Sequence, residues 1–483
     1  MRFWGTKTMA SVAVALTLTL GAGGAAHAAS SVSYETSTVT YNGKKFTVQW
    51  AAADLKDPYL RVMPVVAEAG IGHVESFADM MERTGAAAGV NGTFFDAYEP
   101  DETKRYPNGL MLGEGHPVRT GDNQSLAVGA DKAPFVHKLK VQVSVKVKHN
   151  QAVYAFEPWG VNTYYGDETE GQVVVYTREF GDTITFTNAK KAVVENGRIT
   201  ALTEDEAAVP EEGYVIVVGH TPGNDTYLLP NLHVGDEVTL ETAVHDTDLG
   251  TTGGIADYEA AIGVGPKLLT EGAVDVDFAR DGFDDPKITQ TANVRSFTGV
   301  DGEGRLVMGT VSSATVEEMA HVLAELGFVQ AMNMDGGASS GLYVDGAIKR
   351  APGRLLSNAL IVKRYDRPQV QVAVNGQLIA GMRGFVTESG VTMVPFRGIF
   401  ERIGAEFRWD GDARVLTAKR GAVELTLRPD AAQATVGGRS VPLDAAAVIV
   451  DGHMYIPLRF VAETLGAAVT WDQALYRASL QLK

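Results

Sequence analysis

The segment Thr315-Val-Glu-Glu-Met-Ala-His-Val-Leu-Ala-Glu-Leu-Gly-Phe-Val-Gln-Ala-Met-Asn-Met-Asp-Gly-Gly-Ala-Ser-Ser340 predicts a helix, a strand and a polar turn in succession. Thr315 and Glu318 have the spacing of a capping box at the start of a helix. Gly327 is placed to end that helix, because glycine readily adopts the left-handed conformation of a helix cap. The apolar run that follows then reads as a buried strand.

The turn after this strand concentrates polar groups. Ala331 to Met334 would form the buried strand, and it delivers Asp335 to a pair of glycines. Glycines at a strand end let a ligand approach the backbone closely. An ordinary Asp-Gly turn without a functional role is the competing interpretation. If the turn is functional, its candidate ligand contacts are Asn333, Gly336, Gly337, Ser339 and Ser340.

The N-terminus has the pattern of a secretory signal. Arg2 and Lys7 precede an uncharged stretch from Met9 to Leu20, which leads into Ala26-His27-Ala28. Signal peptidase reads such a small-x-small site, so we expect residues 1–28 to be removed on export. A membrane helix is the alternative, but the apolar stretch is about a dozen residues long and a span needs about 20.

Composition limits the classes of function. The chain has 483 residues, a net charge of −17 and no cysteine. An acidic surface repels nucleic acid, and without cysteine there is no disulfide and no thiolate nucleophile or ligand. A chain of this length exceeds one ordinary core, so we expect two or three domains.

An internal repeat marks the last part of the chain. Met393 to Asp410 recurs as Tyr455 to Asp472, at an offset of 62 residues. We place the repeats at about 370–431 and 432–483. Each predicts a helix whose first turn holds a proline, Pro395 or Pro457, packed on short strands such as Val423 to Leu427. The repeats therefore predict a small α+β module.

Residues 31–365 predict a larger, β-rich domain with few helices, so the whole chain falls in the α+β class. Short apolar runs such as Val173 to Tyr176 and Tyr214 to Val218 predict strands. A second helix is expected near Ser76 to Arg83. Arg364 to Pro368 is polar and ends at a proline, and we interpret it as a linker.

Four short segments place polar residues or glycines within or after apolar runs. They are Gly89 to Asp96, Gly263 to Leu269, Asn293 to Gly299 and Ala331 to Ser340. Together they resemble the phosphodiester glycosidase family, which includes the enzyme that uncovers mannose 6-phosphate on lysosomal proteins. The resemblance runs from about residue 40 to Val362. Ala338 and Ser296-Phe297-Thr298 depart from the common pattern, which puts the substrate in question more than the activity.

The resemblance implies an exported bacterial hydrolase that cleaves the bond between a sugar carbon and a phosphodiester oxygen. Asp335 would then meet the anomeric carbon as base, nucleophile or electrostatic partner. Arg295 would bind two oxygens of the departing phosphate, and Lys267 would assist it. Asn91 and Asp96 would contact sugar hydroxyls.

The C-terminal repeats resemble the module named for the N-terminal domain of copper amine oxidases. Only His453 lies in residues 366–483, so no multi-histidine copper site is expected there. Attachment to a cell-wall or other polymer, or spacing, is the function we predict for the repeats. We expect the enzyme to need no cofactor, with weak calcium binding at Asp281 to Asp285 as the one metal alternative; the metal ligands are otherwise unknown.

Two other functions fit the same sequence. The protein could be a noncatalytic exported glycan-binding protein whose Asp-Gly-Gly turn is structural. It could instead cleave the P–O bond of the same substrate. Teichoic-acid-like polymers, capsule phosphodiesters and lipid-linked sugars are all compatible substrates.

Overall fold

The computed structural model describes residues 31–164, 171–450 and 452–482. The predicted signal peptide lies outside these ranges. Residues Ser31–Lys483 form one compact unit, which is rich in strands and has few helices, as expected. In the described ranges, every helix is too short or too polar to cross a membrane.

The α-helices begin and end close to the predicted signals. Ser76 accepts a hydrogen bond from the backbone of Asp79 at the start of the first helix, and Thr315 and Glu318 form the predicted capping box. Pro395 and Pro457 directly precede their helices as N-cap residues instead of lying in the first turn. The helices are Phe77–Thr84, Phe278–Asp281, Pro286–Thr289, Val316–Glu325, Phe396–Ile403 and Leu458–Thr464.

Two sheets meet at the polar turn. The first has seven strands, in the order Val32–Tyr41, Lys44–Ala53, Leu306–Ala314, Asn293–Val300, Gln330–Asn333, Lys267–Thr270 and Ala273–Val274. The second has five strands, in the order Ala347–Arg350, Leu342–Val344, Ala86–Asn91, Asn358–Arg364 and Leu60–Val66. Apolar side chains from both sheets share one core, which excludes water between them.

A larger sheet of thirteen strands surrounds this pair. Eleven of its strands follow the order Gly160–Val161, Val173–Tyr176, Gly213–Gly219, Ala189–Glu195, Arg198–Thr203, Glu237–Asp246, Pro134–His149, Asp122–Gly129, Tyr258–Gly263, Met111–Gly113 and His116–Arg119. Thr251–Gly254 pairs with Glu237–Asp246, and Ala152–Phe156 pairs with Pro134–His149. Thr183–Ile184 and Ala207–Ala208 form a separate two-stranded ribbon.

The repeats build two further sheets. One has seven strands, in the order Val448–Val450, His453–Pro457, Thr392–Pro395, Gln377–Val386, Gln369–Val374, Arg477–Leu482 and Ala467–Asp472. The other has five strands, in the order Glu406–Asp410, Val415–Arg420, Val423–Leu427, Gln433–Val436 and Arg439–Pro442. Their apolar cluster contains only residues from Val370 onward.

The two repeats exchange strands. Gln369–Val374 of the first repeat pairs in parallel with Arg477–Leu482 of the second. Val423–Leu427 of the first repeat pairs with Gln433–Val436 of the second. Each sheet therefore draws strands from both repeats, so neither repeat closes a sheet alone.

Candidate functional site

Asp335 lies where the chain passes from one sheet to the other. The strand Gln330–Asn333 ends in the middle of the seven-stranded sheet, and Leu342–Val344 begins in the five-stranded sheet. A short 3₁₀ turn, Gly337–Ser339, lies between them. In an irregular segment between two sheets, some backbone N–H and C=O groups make no strand-to-strand hydrogen bond. Such groups are available to bind a ligand.

Asn91 holds both ends of this crossing. Its side-chain amide donates to the carbonyl of Asp335 at 2.7 Å, and its amide oxygen accepts from the backbone N–H of Gly341 at 3.0 Å. The side chain is 1% exposed. Both ends of the Asn91 amide therefore support the backbone of the turn, and its contact with sugar hydroxyls stays a prediction.

Gly92 allows the neighbouring strands to approach closely. A Cβ atom at this position would lie 1.8 Å from the side-chain oxygen of Asn358. The same oxygen accepts the backbone N–H of Thr93 at 2.8 Å. A larger residue at 92 would displace this contact, and with it the end of the strand that carries Asn91.

The Asp335 carboxylate is held by donors and is partly shielded from water. It accepts the backbone N–H of Gly336 at 2.8 Å and a hydrogen bond from the hydroxyl of Ser339. Burial raises the pKa of Asp335 to about 6, against the opposing effects of Ser339, Gly336 and the charges of Arg354 and Arg295. The carboxyl group can therefore change its charge near neutral pH, as groups that act in catalysis often do.

Arg295 is buried beside this carboxylate but is largely committed to backbone carbonyls. Its Nε donates to Ala314 at 3.1 Å, and its Nη2 donates to Lys287, Ile288 and Thr291 at 3.1, 3.2 and 2.5 Å. Within the described residues only Nη1 has no hydrogen bond. The two-point contact with phosphate stays a prediction, and in this geometry it would require Nη2 to give up its carbonyl contacts, because a fork needs two free nitrogens.

Three residues that no local sequence pattern indicated lie near this carboxylate: Arg354 and Tyr98 interact with its charge, and Lys287 contacts Tyr98. Tyr98 lies between two cations: the Arg354 guanidinium is 5.1 Å and the Lys287 ammonium 5.4 Å from the centre of its ring. A hydrogen bond with Arg354 and the charge of Lys287 lower the pKa of Tyr98. Tyr98 is 77% exposed, so these cations border an accessible opening near Asp335.

These residues had no local signal in the sequence because they come from separate loops. Arg354 reaches the site since the backbone N–H of Gly353 donates to Ala338 at 2.7 Å, which docks its loop on the Asp335 turn. Lys287 belongs to a short helix that Arg295 anchors. Only tertiary contacts bring the loops together.

Other predicted site residues have different positions. Lys267 is buried and its ammonium pairs with Asp248, so the prediction that it binds phosphate is not supported. Asp96 is exposed, and within the described residues its side chain makes no contact with Asp335. The structure does not bring either residue into the cluster.

The remaining predicted contacts belong to the turn or to its support. Asn333 is fully buried; its amide nitrogen donates to the carbonyl of Gly265 at 3.1 Å, and its amide oxygen has no hydrogen-bond partner among the described residues. Ser340 is also buried, and its hydroxyl donates to the carbonyl of Val294 at 3.3 Å. Gly337 has a φ of 62°, which favours glycine at this position.

A cavity of about 560 Å³ is lined by residues of two of the four polar segments, Phe94 of the first and Gly263 and Val264 of the second. Ile288, whose carbonyl binds Arg295, forms part of its wall. Its other walls include Phe94, Val264, Phe283, Lys138 and Arg280. Its lining is mixed, because Asn108, Asp122, Asn123 and Asp281 add further polar groups beside the aromatic rings.

The acidic segment from Asp281 to Asp285, which is the predicted calcium site, accepts hydrogen bonds from other residues of the protein. Asp281 accepts hydrogen bonds from Gln124, Arg280 and the backbone of Lys267. Asp285 caps the helix Pro286–Thr289 by accepting from the backbone of Lys287. Weak calcium binding there stays a prediction, as does independence from any cofactor.

Two segments of the chain match models of known protein families. Residues 187–363 match the phosphodiester glycosidase family, and residues 373–480 match the copper amine oxidase N-terminal domain. Both resemblances drawn from the sequence are confirmed for these segments. The segment similar to the phosphodiester glycosidase family includes Asp335 and Arg295, and the segment similar to the copper amine oxidase N-terminal domain follows it in the chain.

Solved structures share the fold. A hypothetical protein from Synechocystis has a TM-score of 0.56 at 20% identity, over 69% of this chain and 62% of that chain. A protein from Burkholderia pseudomallei K96243, described as exported, has a TM-score of 0.54 at 20% identity, over 66% of this chain and 74% of that chain. This chain spans about three fifths of the Synechocystis protein.

A zebrafish N-acetylglucosamine-1-phosphodiester alpha-N-acetylglucosaminidase catalytic domain, auto-inhibited by its pro-peptide, aligns with a TM-score of 0.33 at 12% identity. That alignment covers 69% of this chain and 83% of the zebrafish chain. No curated protein matches the chain.

Proposed function

We propose that this protein is an exported hydrolase that cleaves the bond between a sugar carbon and the oxygen of a phosphodiester, in a glycan of the cell envelope or its surroundings. The observation that carries the proposal is the Asp335 carboxylate, held at the junction of two sheets near the positive charges of Arg354 and Arg295, with Lys287 next to the neighbouring Tyr98. An ionised Asp335 can stabilise positive charge on the sugar carbon, and the neighbouring cations can bind the phosphate that departs from it. Cleavage of this bond requires both.

The arrangement divides the work between carboxylate and cations. Positive charge develops on the sugar as the bond breaks, and an ionised Asp335 stabilises it as base, nucleophile or electrostatic partner. Negative charge develops on the departing phosphate monoester. Arg354 and Lys287 are placed to bind that charge, with the single free nitrogen of Arg295 beside them. A phosphate is a weakly basic leaving group, so little acid catalysis is needed.

No cofactor enters this mechanism. The export signal predicted at residues 1–28 and the exported Burkholderia protein of the same fold support secretion or attachment at the cell surface. The sugar and the polymer remain open.

Hydrolysis in oxygen-18 water tests which bond breaks. The probes are methyl diesters of several sugar 1-phosphates. The products are analysed by mass spectrometry before the sugar exchanges its anomeric oxygen with water. We expect the label in the anomeric hydroxyl and none in the phosphate monoester. Asp335→Asn should lose at least 100-fold in turnover with its fold retained.

Two outcomes would contradict the proposal. Label in the phosphate would show attack at phosphorus and cleavage of the P–O bond. Absence of hydrolysis for every probe, with equal binding by the wild type and Asp335→Asn, would favour a noncatalytic glycan-binding protein.

The C-terminal repeats are proposed to attach the enzyme to a glycan polymer. A cavity of about 510 Å³ lies between the repeats, with Trp471, Tyr476 and Phe460 in its walls. Arg459, Asp444 and Gln473 add polar groups. Aromatic faces beside hydrogen-bonding side chains suit a sugar, which has apolar faces and polar edges.

A further inference from the structure

Two imidazoles converge on one buried carboxylate outside the proposed active site. Nδ1 of His149 lies 2.5 Å from one oxygen of Asp236, and Nδ1 of His233 lies 3.2 Å from the other. The three ligand atoms lie within 4.8 Å of one another, and the ring centres are 4.3 Å apart. The histidine side chains are about half exposed, whereas that of Asp236 is 4% exposed.

The backbone holds these three residues in place. The strands Pro134–His149 and Glu237–Asp246 are antiparallel, with Lys148 opposite Glu237, so His149 and Asp236 lie side by side at the strand ends. The backbone N–H of His233 donates to the Asp236 carboxylate at 2.9 Å, which fixes the turn between them. The three ligand atoms are therefore brought together before any ligand arrives.

The distances are close to those of a bound dication. Ligands at about 2.0–2.2 Å from a tetrahedral zinc ion lie about 3.3–3.6 Å from each other. The His233 contact, at 3.2 Å, is close to this separation. The His149 contact, at 2.5 Å, is a short hydrogen bond, which would lengthen by roughly 0.8 Å when the metal replaces its proton.

The nearby cations do not oppose a metal. Lys148 pairs with one oxygen of Glu237 at 3.0 Å, and Arg198 pairs with the other at 2.7 Å. Glu237 therefore neutralises much of the positive charge next to the cluster. The chain as a whole is acidic, with a net charge of −17, which also favours cation binding.

We propose that His149, His233 and Asp236 form a binding site for one transition-metal dication such as Zn²⁺, with water completing the coordination. Imidazole nitrogen and carboxylate oxygen are ligands that zinc accepts, and three protein ligands leave a position for water. The ion would join the end of the strand Pro134–His149 to the turn before Glu237–Asp246. This site is independent of the proposed hydrolase activity.

Metal titration of the whole protein tests the site. Tag-free protein stripped with a chelator is titrated with Zn²⁺ by calorimetry, and its thermal unfolding is followed with and without Zn²⁺. We expect one equivalent to bind and to raise the Tm, because a ligand that binds only the folded state stabilises it. His149→Ala and His233→Ala should each weaken binding at least tenfold and remove the rise in Tm.

His220→Ala is the matched control, because His220 also pairs with a carboxylate, that of Asp225 at 2.7 Å, but has no second imidazole. It should bind Zn²⁺ like the wild type. His149→Ala and His233→Ala each remove a hydrogen bond to the buried Asp236 and should lower the Tm in chelator, so the effect of Zn²⁺ is compared with and without metal within each variant. The proposal would be overturned if Zn²⁺ binding is not saturable, or if it is unchanged in a variant that carries both His149→Ala and His233→Ala. Equal weakening by His220→Ala would do so too.

Discussion

The environment of Asp335 acts on its charge in two directions. Burial disfavours the carboxylate, while the N–H of Gly336, the hydroxyl of Ser339 and two arginines favour it. Burial is the larger effect, so the pKa is raised to about 6. An acid with a raised pKa still ionises above that pH, and the mechanism proposed here needs the ionised form.

The rate should therefore rise with pH and level off above about 6. The kcat/KM of the wild type on a sugar-1-phosphodiester, measured from pH 4 to 9, reports this ionisation in the free enzyme. Arg354→Gln should move the midpoint to higher pH, because the positive charge of Arg354 lowers the pKa of Asp335. A rate that falls as pH rises through 6 would instead assign Asp335 the role of a general acid and contradict the mechanism.

The residues of the site could be predicted from sequence only where they are contiguous. Asp335, Gly336 and Ser339 follow one another after an apolar strand, and they do form one hydrogen-bonded turn. The role of Asn91 depends on partners about 250 positions away, which no local pattern contains. Arg354 was missed for the same reason.

The short segment from Pro286 to Thr291 connects the buried Arg295 with the opening. Arg295 binds carbonyls at both ends of it, and Lys287 projects from it toward Tyr98. Arg295 therefore acts as an anchor for this segment, and Lys287 is its charged contact with the opening. From sequence, Arg295 is predicted to be a phosphate ligand. A buried arginine near an acid shows the same local pattern whether it anchors the backbone or binds a ligand.

Arg295→Lys and Lys287→Ala should separate these roles. Lysine cannot replace the several hydrogen bonds of Arg295, so Arg295→Lys should destabilise the fold by about 2 kcal/mol and lower turnover. Lys287→Ala should leave the Tm unchanged and lower kcat/KM several-fold, since it removes only an exposed cation. Thermal unfolding and steady-state kinetics of both variants test this. Wild-type stability with a large loss of turnover in Arg295→Lys would return Arg295 to direct phosphate contact.

The repeat helices show what periodicity can and cannot predict. Their apolar stripes, such as Phe396, Ile399, Phe400 and Ile403, are buried as the spacing indicates. The exchange of strands between repeats was not predicted, because an amphipathic strand fits either of two equivalent sheets. Pairing is decided by the geometry of the connecting chain, and the repeat alone does not specify it.

Contacts across the predicted linker join the repeats to the larger β-rich part. Arg383 pairs with the buried Glu259 at 3.3 Å, and Arg477 donates to the carbonyl of Ala130 at 2.8 Å. The backbones of Gly115 and Gly381 touch so closely that a Cβ at Gly115 would lie 2.3 Å from Gly381 N. The two parts are thus packed together, although their apolar clusters are separate.

A chain ending after Arg364 should fold and hydrolyse soluble substrate at the full rate, because the strand Asn358–Arg364 completes its sheet and the Asp335 turn has no partner beyond it among the described residues. Its Tm should fall by a few degrees, since Glu259 loses the cation that compensates its burial. Aggregation, or a lower rate on soluble substrate, would mean that the repeats complete the catalytic part.

The same shortened chain should no longer sediment with purified cell walls if the repeats attach the enzyme to a polymer.

Trp471→Ala in the full chain should lose most of this binding with its Tm nearly unchanged, because the ring is 37% exposed in the wall of the cavity. Trp159→Ala is the control, since Trp159 is 51% exposed in the larger part. Sedimentation measures binding, and hydrolysis of a soluble probe in the same samples measures activity. Equal sedimentation of the shortened and full chains would move polymer binding to residues 31–364.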